Sequence, residues 1–463
     1  EDTQNNKYLD RGLMKKPEGY IKSDQRKTIL LLSDDVRLTS GVANMGRELI
    51  LGTAHLFNWY NLGAAKKHPQ EGKIFDVSAD INTNLTIPDA DVKIQASTGY
   101  GSEEVVMELL ERVKPDVILL FTDPRYYKWL FEIKDKVKEY APIAYLNIWD
   151  APPAPMYNKE YYQACDLLMA ISKQTKNLNE IVLGEEAQDK IIDYLPHGVS
   201  SDIFKPIKDE KKISSMRSEL FKRDDIDFVV FWNSRNIHRK VPGNVILAYN
   251  MFCDTIGKEA ASKCALIMHT TPTDPAGTNL VEVRDTICDK TYQNIFFSGT
   301  KVDQNQINLL YNVADVTMLT SSNEGWGLSL TESMMAGTPI IANTTGGMQD
   351  QMRFTDEKGK WIDFDKDFQS NHKAKYRECG DWAKPVFPSN ISLVGTVPTP
   401  YIYDDRCSPE DVAEAIKYWY GMDIKERKKR GQLGRKWVTS KESGMSSKNM
   451  SNNFVNSINK LFN

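Results

Sequence analysis

Short runs of consecutive apolar residues, each followed by a stretch with helical spacing, recur along the chain. TILLLS (Thr28–Ser33), VILLF (Val117–Phe121), IAYLN (Ile143–Asn147), LLMAIS (Leu167–Ser172) and IIDYL (Ile191–Leu195) form one series. Glu103–Val113 and Tyr127–Glu139 carry helical spacing between them. A strand with no polar alternation is buried on both faces, so the series predicts a mostly parallel sheet covered by helices. The pattern restarts after Pro206 with DFVVFW (Asp227–Trp232), ALIMH (Ala265–His269), NIFFS (Asn294–Ser298), DVTML (Asp315–Leu319) and TPIIA (Thr338–Ala342). Its helices are expected at Asn244–Ile256, Gln304–Val313 and Ser329–Ala336. Two Rossmann-like α/β domains in succession are therefore expected, which 463 residues accommodate at roughly 100–200 residues per domain. Open parallel sheets bind ligands beyond the carboxyl ends of their strands, so two facing domains predict a site in the cleft between them.

The expected boundaries are an N-terminal tail at 1–25, a first domain at 26–200, a second at 201–440, and a C-terminal helix at 441–463 that packs back on the first domain. Helical patterns fall at Pro409–Tyr420, Ile424–Trp437 and Ser446–Leu461. Regular alternation lapses from Arg353 to Cys407, where Pro385, Pro388, Pro398 and Pro400 interrupt it. So long an irregular stretch reads as an insertion that shapes a binding mouth, with Trp361, Trp382, Phe387, Tyr401 and Tyr403 either stacking on a ligand or forming a satellite core under a long loop.

Composition excludes several classes. Hydrophobic residues make up 41% and charged residues 26%, which rules out wholesale disorder. Lys and Arg number 59 against 63 Asp and Glu, a formal charge of -4, so no global electrostatic grip on nucleic acid is expected. The basic run Lys425–Lys436 reads as a solvated helix face. The cysteines (Cys165, Cys253, Cys264, Cys288, Cys379, Cys407) have no CxxC spacing, which predicts reduced thiols in a cytoplasmic compartment. No apolar run approaches the roughly 20 residues of a membrane span, and EDTQNNKYLD lacks the apolar core of a secretory signal.

Chemistry concentrates in NEGWGLSLTESMMAGTPIIANTTGG, Asn323 to Gly347. Gly325 and Gly327 let the backbone approach a ligand closely, and the helix beginning near Leu328 offers N–H groups to an anion. At 1.5 Å per residue, a helix spanning the whole interval would separate Glu324 and Glu332 by about 12 Å, so they contact different parts of a long ligand.

EGWGLSLTE, followed by MAGTPIIA and TTGG, resembles the donor-binding signature of retaining GT-B glycosyltransferases, specifically glycosyltransferase family 4. PHGVSSDIFKP (Pro196–Pro206) is similar to that family's interdomain linker, and SRNIHRK (Ser234–Lys240) to its Arg…Lys pair. YNVADVTMLTSSNEGWG (Tyr311–Gly327) resembles the approach to the glutamates. The likeness covers Leu195–Gly347 and is thin in the N-terminal half. It implies a retaining transfer of a sugar from a nucleotide-sugar donor to an acceptor hydroxyl, with the first domain on the acceptor side and the second holding the donor.

The implied roles follow from the chemistry of such a donor. Arg235 and Lys240 would stabilise the departing diphosphate in place of a metal, so no metal or cofactor beyond the co-substrate is expected. Acid-rich strings at Asp225–Asp227 and Asp363–Asp367 are read as ordinary loops, and Arg239 as a surface residue. Glu332 would accept from the ribose hydroxyls and Glu324 would lie near the donor sugar. Gly325, Trp326, Gly327 and Leu328 belong to the same donor-binding block. Gly346–Gly347 is a candidate for the sugar end, and the loop of Gly299 and Lys301 for the base end. Gly41, before the first helix, resembles the family's phosphate-facing glycine loop. The family often places a histidine after an N-terminal strand, but YLNIWDAPPAP has none, and Asp150 stands as its substitute. His197 reads as a hinge residue, and His55 and His269 as core or rim histidines. An epimerase or phosphorylase of the same fold, or an inactive sugar- or nucleotide-binding module, are the alternatives; an epimerase would change a nucleotide sugar without an acceptor. The acceptor remains open among glycan, lipid, protein and modified nucleic acid, as do the donor base and the oligomeric state.

Overall fold

The computed structural model describes residues 17–299 and 301–463, so the expected tail lies outside the described residues as far as residue 16. Beyond it, Arg26 pairs with Asp89 at 2.7 Å. Two compact units divide the chain. The first takes in the chain to Trp149, Ala154–Gly198 and Ser447–Asn463, and the second Asp150–Pro153 and Val199–Ser446.

In the first unit the strands are β1 (Lys27–Asp34), β2 (Phe57–Ala65), β3 (Ile74–Asp76), β4 (Val92–Thr98), β5 (Val117–Phe121), β6 (Ile143–Asn147), β7 (Leu167–Ala170) and β8 (Ile191–Tyr194). Among the described residues they form one sheet in the order β3-β4-β2-β1-β5-β6-β7-β8. Every pairing is parallel except β3 with β4. The apolar runs fall on β1 and β5 to β8, and Ile29–Leu32 and Val117–Phe121 are fully buried. β2 carries no such run because Asn58 and Asn61 interrupt it. Asn61 is nevertheless fully buried: its amide donates to the Leu31 carbonyl at 3.2 Å and its Oδ1 accepts from Val36 N–H at 3.2 Å. A buried amide with its hydrogen bonds made costs little, so the interrupted run still forms an interior strand.

The expected helix at Tyr127–Glu139 is broken, with Lys128–Glu132 and Lys134–Lys138 meeting at Ile133, whose φ/ψ of -105/17 is not helical. The C-terminal helix, Ser447–Asn459, belongs to the first unit. Its Phe454 stacks on Trp59 with ring centroids 5.8 Å apart, and Lys460 beyond it pairs with Asp193 at 2.7 Å.

The second unit is built on β9 (Phe228–Asn233), β10 (Cys264–His269), β11 (Asn294–Phe297), β12 (Val316–Leu319), β13 (Ile340–Asn343) and β14 (Ala383–Val386). They lie in the order β11-β10-β9-β12-β13-β14, all parallel. β14 falls inside the stretch that the sequence leaves irregular. Its Pro385 lacks a ladder donor, which an edge strand tolerates and which hides it from pattern reading. The same stretch holds an antiparallel hairpin of β15 (Asn390–Val394) and β16 (Ile402–Arg406). Trp361 and Trp382, expected either to stack on a ligand or to form a satellite core, both pack on Trp437 and are nearly buried. Beyond the carboxyl ends of β9, β12 and β13 lie residues 234–240, 320–327 and 344–347. No helix among the described residues is long and apolar enough to cross a membrane.

Candidate functional site

Glu324 sits in the loop after β12 and is 6% exposed. Its Oε2 forms a direct ion pair with the Lys240 ammonium, lies 3.3 Å from Arg239 Nη1 and accepts from the Ser321 hydroxyl at 3.0 Å. Burial alone would raise this carboxyl, but the charges of Lys240 and Arg239 outweigh it and bring it down to about 2. Glu324 is therefore a fixed carboxylate. All of its described contacts fall on Oε2, while Oε1 is not sealed from solvent and has no hydrogen-bond partner among the described residues. One oxygen is anchored and the other is open.

Glu332 repeats this arrangement on different chemistry. It lies in the helix Leu328–Met335, and its Oε2 accepts from the Tyr311 hydroxyl at 2.6 Å. Tyr311 in turn accepts from Asn233 Nδ2, at the end of β9, at 3.0 Å. Among the described residues no cation faces Glu332, so desolvation dominates and pushes its carboxyl up to about 7, against the Tyr311 hydrogen bond. The helix starts after Gly327, whose φ of +90° favours glycine. Ser329 in its first turn is 7% exposed, and its hydroxyl has no partner among the described residues. Trp326 is 2% exposed and donates to Thr331 at 2.9 Å, which braces the loop. Leu328 is partly exposed at the helix start.

The Gly346–Gly347 turn crosses the glutamate loop at van der Waals distance. A Cβ on Gly346 would sit 1.7 Å from the Glu324 carbonyl oxygen, and Gly347 N–H donates to that oxygen at 3.2 Å. These glycines are thus required by loop-on-loop packing, whatever else they contact. Asp150 reaches this cluster too: its carbonyl oxygen would lie 3.0 Å from that Cβ. Burial opposes the charge on Arg239, and Glu324 and Asp150 together outweigh it and hold the guanidinium cationic.

Other expected residues stand apart. Arg235 has a side chain 69% exposed and pairs with Asp274 at 3.2 Å. Arg239, expected at the surface, has a side chain 41% exposed, and its guanidinium also donates to the Asn323 carbonyl at 2.8 Å and faces Glu324. Gly299 and Lys301 are exposed beyond β11, and Thr300 between them lies outside the described residues. Gly41 opens the helix Gly41–Thr53 of the first unit, capped by the Ser40 hydroxyl accepting from Ala43 N–H at 3.0 Å. His197 is 6% exposed in that unit, and burial brings its imidazole down to about 3, so it is neutral. His55 is buried, and the partly exposed His269 lies 3.1 Å from the Ser298 hydroxyl. Among the described residues no cluster of His, Cys, Asp or Glu is placed to hold a metal ion.

Sequence reading passed over Tyr311 as a ligand of Glu332, and over His372 and Asp405. Tyr311 carries a signal in retrospect, since it opens the stretch Tyr311–Gly327 that leads into the glutamates and stands on the helix Gln304–Val313. His372 and Asp405 stand in the stretch without periodicity, where no spacing points to them.

Residues 289–373 match the model of the family described as glycosyl transferases group 1, an interval that holds both glutamates and the glycine turn. No curated protein matches the sequence itself. Solved structures resemble the chain over nearly its full length. The HepE protein of Anabaena, in complex with UDP and glucose, is 13% identical, covers 94% of this chain and 100% of its own, and gives a TM-score of 0.62. A glycosyltransferase from Rickettsia africae is 16% identical over 95% of this chain and 99% of its own, with a TM-score of 0.61. Sucrose-phosphate synthase from Thermosynechococcus elongatus is 14% identical, with 94% and 99% covered and a TM-score of 0.62. At these identities the likeness is one of architecture, and the architecture is the GT-B fold of two Rossmann-like bodies.

Proposed function

We propose that the protein is a retaining, metal-independent glycosyltransferase of family 4 type, which moves a sugar from a nucleotide-sugar donor to an acceptor hydroxyl. The observation that carries the reading is the pair of half-anchored glutamates. Each keeps one carboxylate oxygen on protein groups and leaves the other available to a ligand hydroxyl. Glu332 accepts from the ribose, and Glu324 from the donor sugar. The group 1 family match and the UDP and glucose bound to HepE support this reading.

In this reading the chain's own cations take the place of a metal. Lys240 and Arg239 bring two cations to this loop, and a diphosphate would take up part of their charge beside Glu324. Arg235 leaves Asp274 at little cost, because exposed ion pairs contribute little, and forks onto the phosphate. The bond from the anomeric carbon to the phosphate oxygen breaks, and the negative charge stays on that oxygen, stabilised by Lys240 and Arg235. The same oxygen takes the acceptor's hydroxyl proton as the acceptor oxygen bonds to the anomeric carbon from the same face. Asp150 is the proposed acceptor-side carboxylate. The six free thiols fit the reducing interior of a cell.

A thermal-shift panel of UDP, GDP, ADP and their sugars selects the donor, since ligand at a hundred times its dissociation constant adds about 2.7 kcal/mol. NMR of the product then reads the anomeric configuration. Retention is expected, and inversion, or sugar isomerisation without an acceptor, overturns the reading.

A further inference from the structure

His372 lies in the stretch that the sequence leaves without elements, yet it is clamped to the site twice. Its Nδ1 is 2.9 Å from Oδ1 of Asp405, which is fully buried. The other Asp405 oxygen accepts from the Thr345 hydroxyl at 2.7 Å, and Thr345 directly precedes Gly346. The second clamp is Gln349. Its amide donates to the Gly346 carbonyl at 3.2 Å and to the Ser370 hydroxyl at 3.3 Å, while its Oε1 accepts from Asn371 N–H at 2.8 Å. His372 N–H closes the turn on Ser370 Oγ at 3.3 Å. His372 is therefore tied, through Asp405 and through Gln349, to the glycine turn that packs on Glu324.

A carboxylate on Nδ1 fixes the proton there and turns Nε2 outward. His372 is 6% exposed; its Nε2 is not sealed from solvent, and among the described residues nothing hydrogen-bonds to it. Tyr403 packs edge-on to the ring at 5.4 Å and limits its rotation. A buried aspartate that orients an imidazole with one open nitrogen is a device for reading a ligand hydroxyl, and the position beside Thr345–Gly346 determines which one.

Resting on the donor-site reading above, we propose that His372 Nε2 hydrogen-bonds a hydroxyl of the transferred sugar, and that His372 with Asp405 sets which sugar the enzyme accepts. A nucleoside diphosphate without its sugar does not reach the imidazole, so the two ligands separate the proposal from the reading it rests on.

The test uses the full chain with UDP and UDP-glucose, or with the GDP or ADP pair that stabilises the wild type. In His372→Gln the nucleoside diphosphate should bind unchanged while the nucleotide sugar loses about 3- to 10-fold in affinity, the loss expected of one hydrogen bond. Diethyl pyrocarbonate footprinting of the wild type needs no variant: His372 should be modified in the free protein, protected by the nucleotide sugar and unprotected by the nucleoside diphosphate. Equal affinities for the nucleotide sugar in wild type and variant, an equal loss for both ligands, or the same footprint with either ligand would overturn the proposal. Failure of the wild type to bind any nucleotide or nucleotide sugar overturns the donor-site reading instead, and this proposal with it.

Discussion

The Tyr311 hydroxyl donates to Glu332 Oε2 at 2.6 Å and opposes the burial that holds this carboxyl up at about 7. The raised value makes the native state favour the protonated acid. That contribution to stability is present below the ordinary carboxyl range and is lost as pH rises through about 7. A ribose diol bound there as proposed would supply hydrogen bonds to the carboxylate form and pull the value back down. Donor affinity should therefore rise between about pH 6 and about pH 8, and binding near neutrality should release a proton. Calorimetry in buffers of different ionisation enthalpy reads that proton. Glu332→Gln should abolish both the release and the pH dependence.

Glu332 is proposed to act on the nucleotide, away from the bond that breaks. Glu332→Ala should raise KM for the donor and leave kcat near its original value, the signature of lost uniform binding. Steady-state kinetics over a wide donor range check it, and a fall in kcat with unchanged KM would move Glu332 to the reacting centre.

The two arginines of the 234–240 loop should separate cleanly. Arg235 makes one exposed ion pair, so Arg235→Ala should leave Tm unchanged and lower kcat on the order of 10²–10³. Arg239 tethers the Asn323 carbonyl and Glu324, so Arg239→Ala should lower Tm and loosen donor binding. The opposite pattern would exchange the two roles. Arg235→Lys should also lose rate, because an ammonium has no bidentate fork.

How much of this was legible in the sequence depended on periodicity. Runs such as VILLF announce buried parallel strands because nothing polar interrupts them. β2 stayed hidden because Asn61 is polar yet satisfied by Leu31 and Val36, a tertiary fact no pattern contains. β14 stayed hidden behind Pro385, which reads as a breaker until its edge position is known. The glutamates were found through the motif around them. The anchoring of Glu324 by Arg239 was not, since a basic residue between two others carries no mark of which way it points. The Asp405–His372 contact spans two loops and depends on how residues 353–407 fold back.

Lys240 and Glu324 are buried together, and each offsets the other's desolvation. Removing Lys240 leaves Glu324 buried with Arg239 as its described counter-charge, so Lys240→Met should destabilise by less than the roughly 3–5 kcal/mol of a fully stranded charge. Lys240→Met combined with Glu324→Gln should recover most of that loss, although neither protein should turn over. Chemical denaturation of the single and double variants gives the coupling. Additive losses would show that the pair does not act as a unit.

The most direct measurement is kcat of Glu324→Gln at saturating donor, once circular dichroism and size-exclusion chromatography have shown that the variant folds. The carboxylate held at about 2 by Lys240 and Arg239 is proposed to face the charge that grows at the anomeric carbon, where its neutral counterpart cannot help. A fall on the order of 10²–10³ with little change in KM is the predicted result. A kcat near that of the wild type would contradict the assignment of the site.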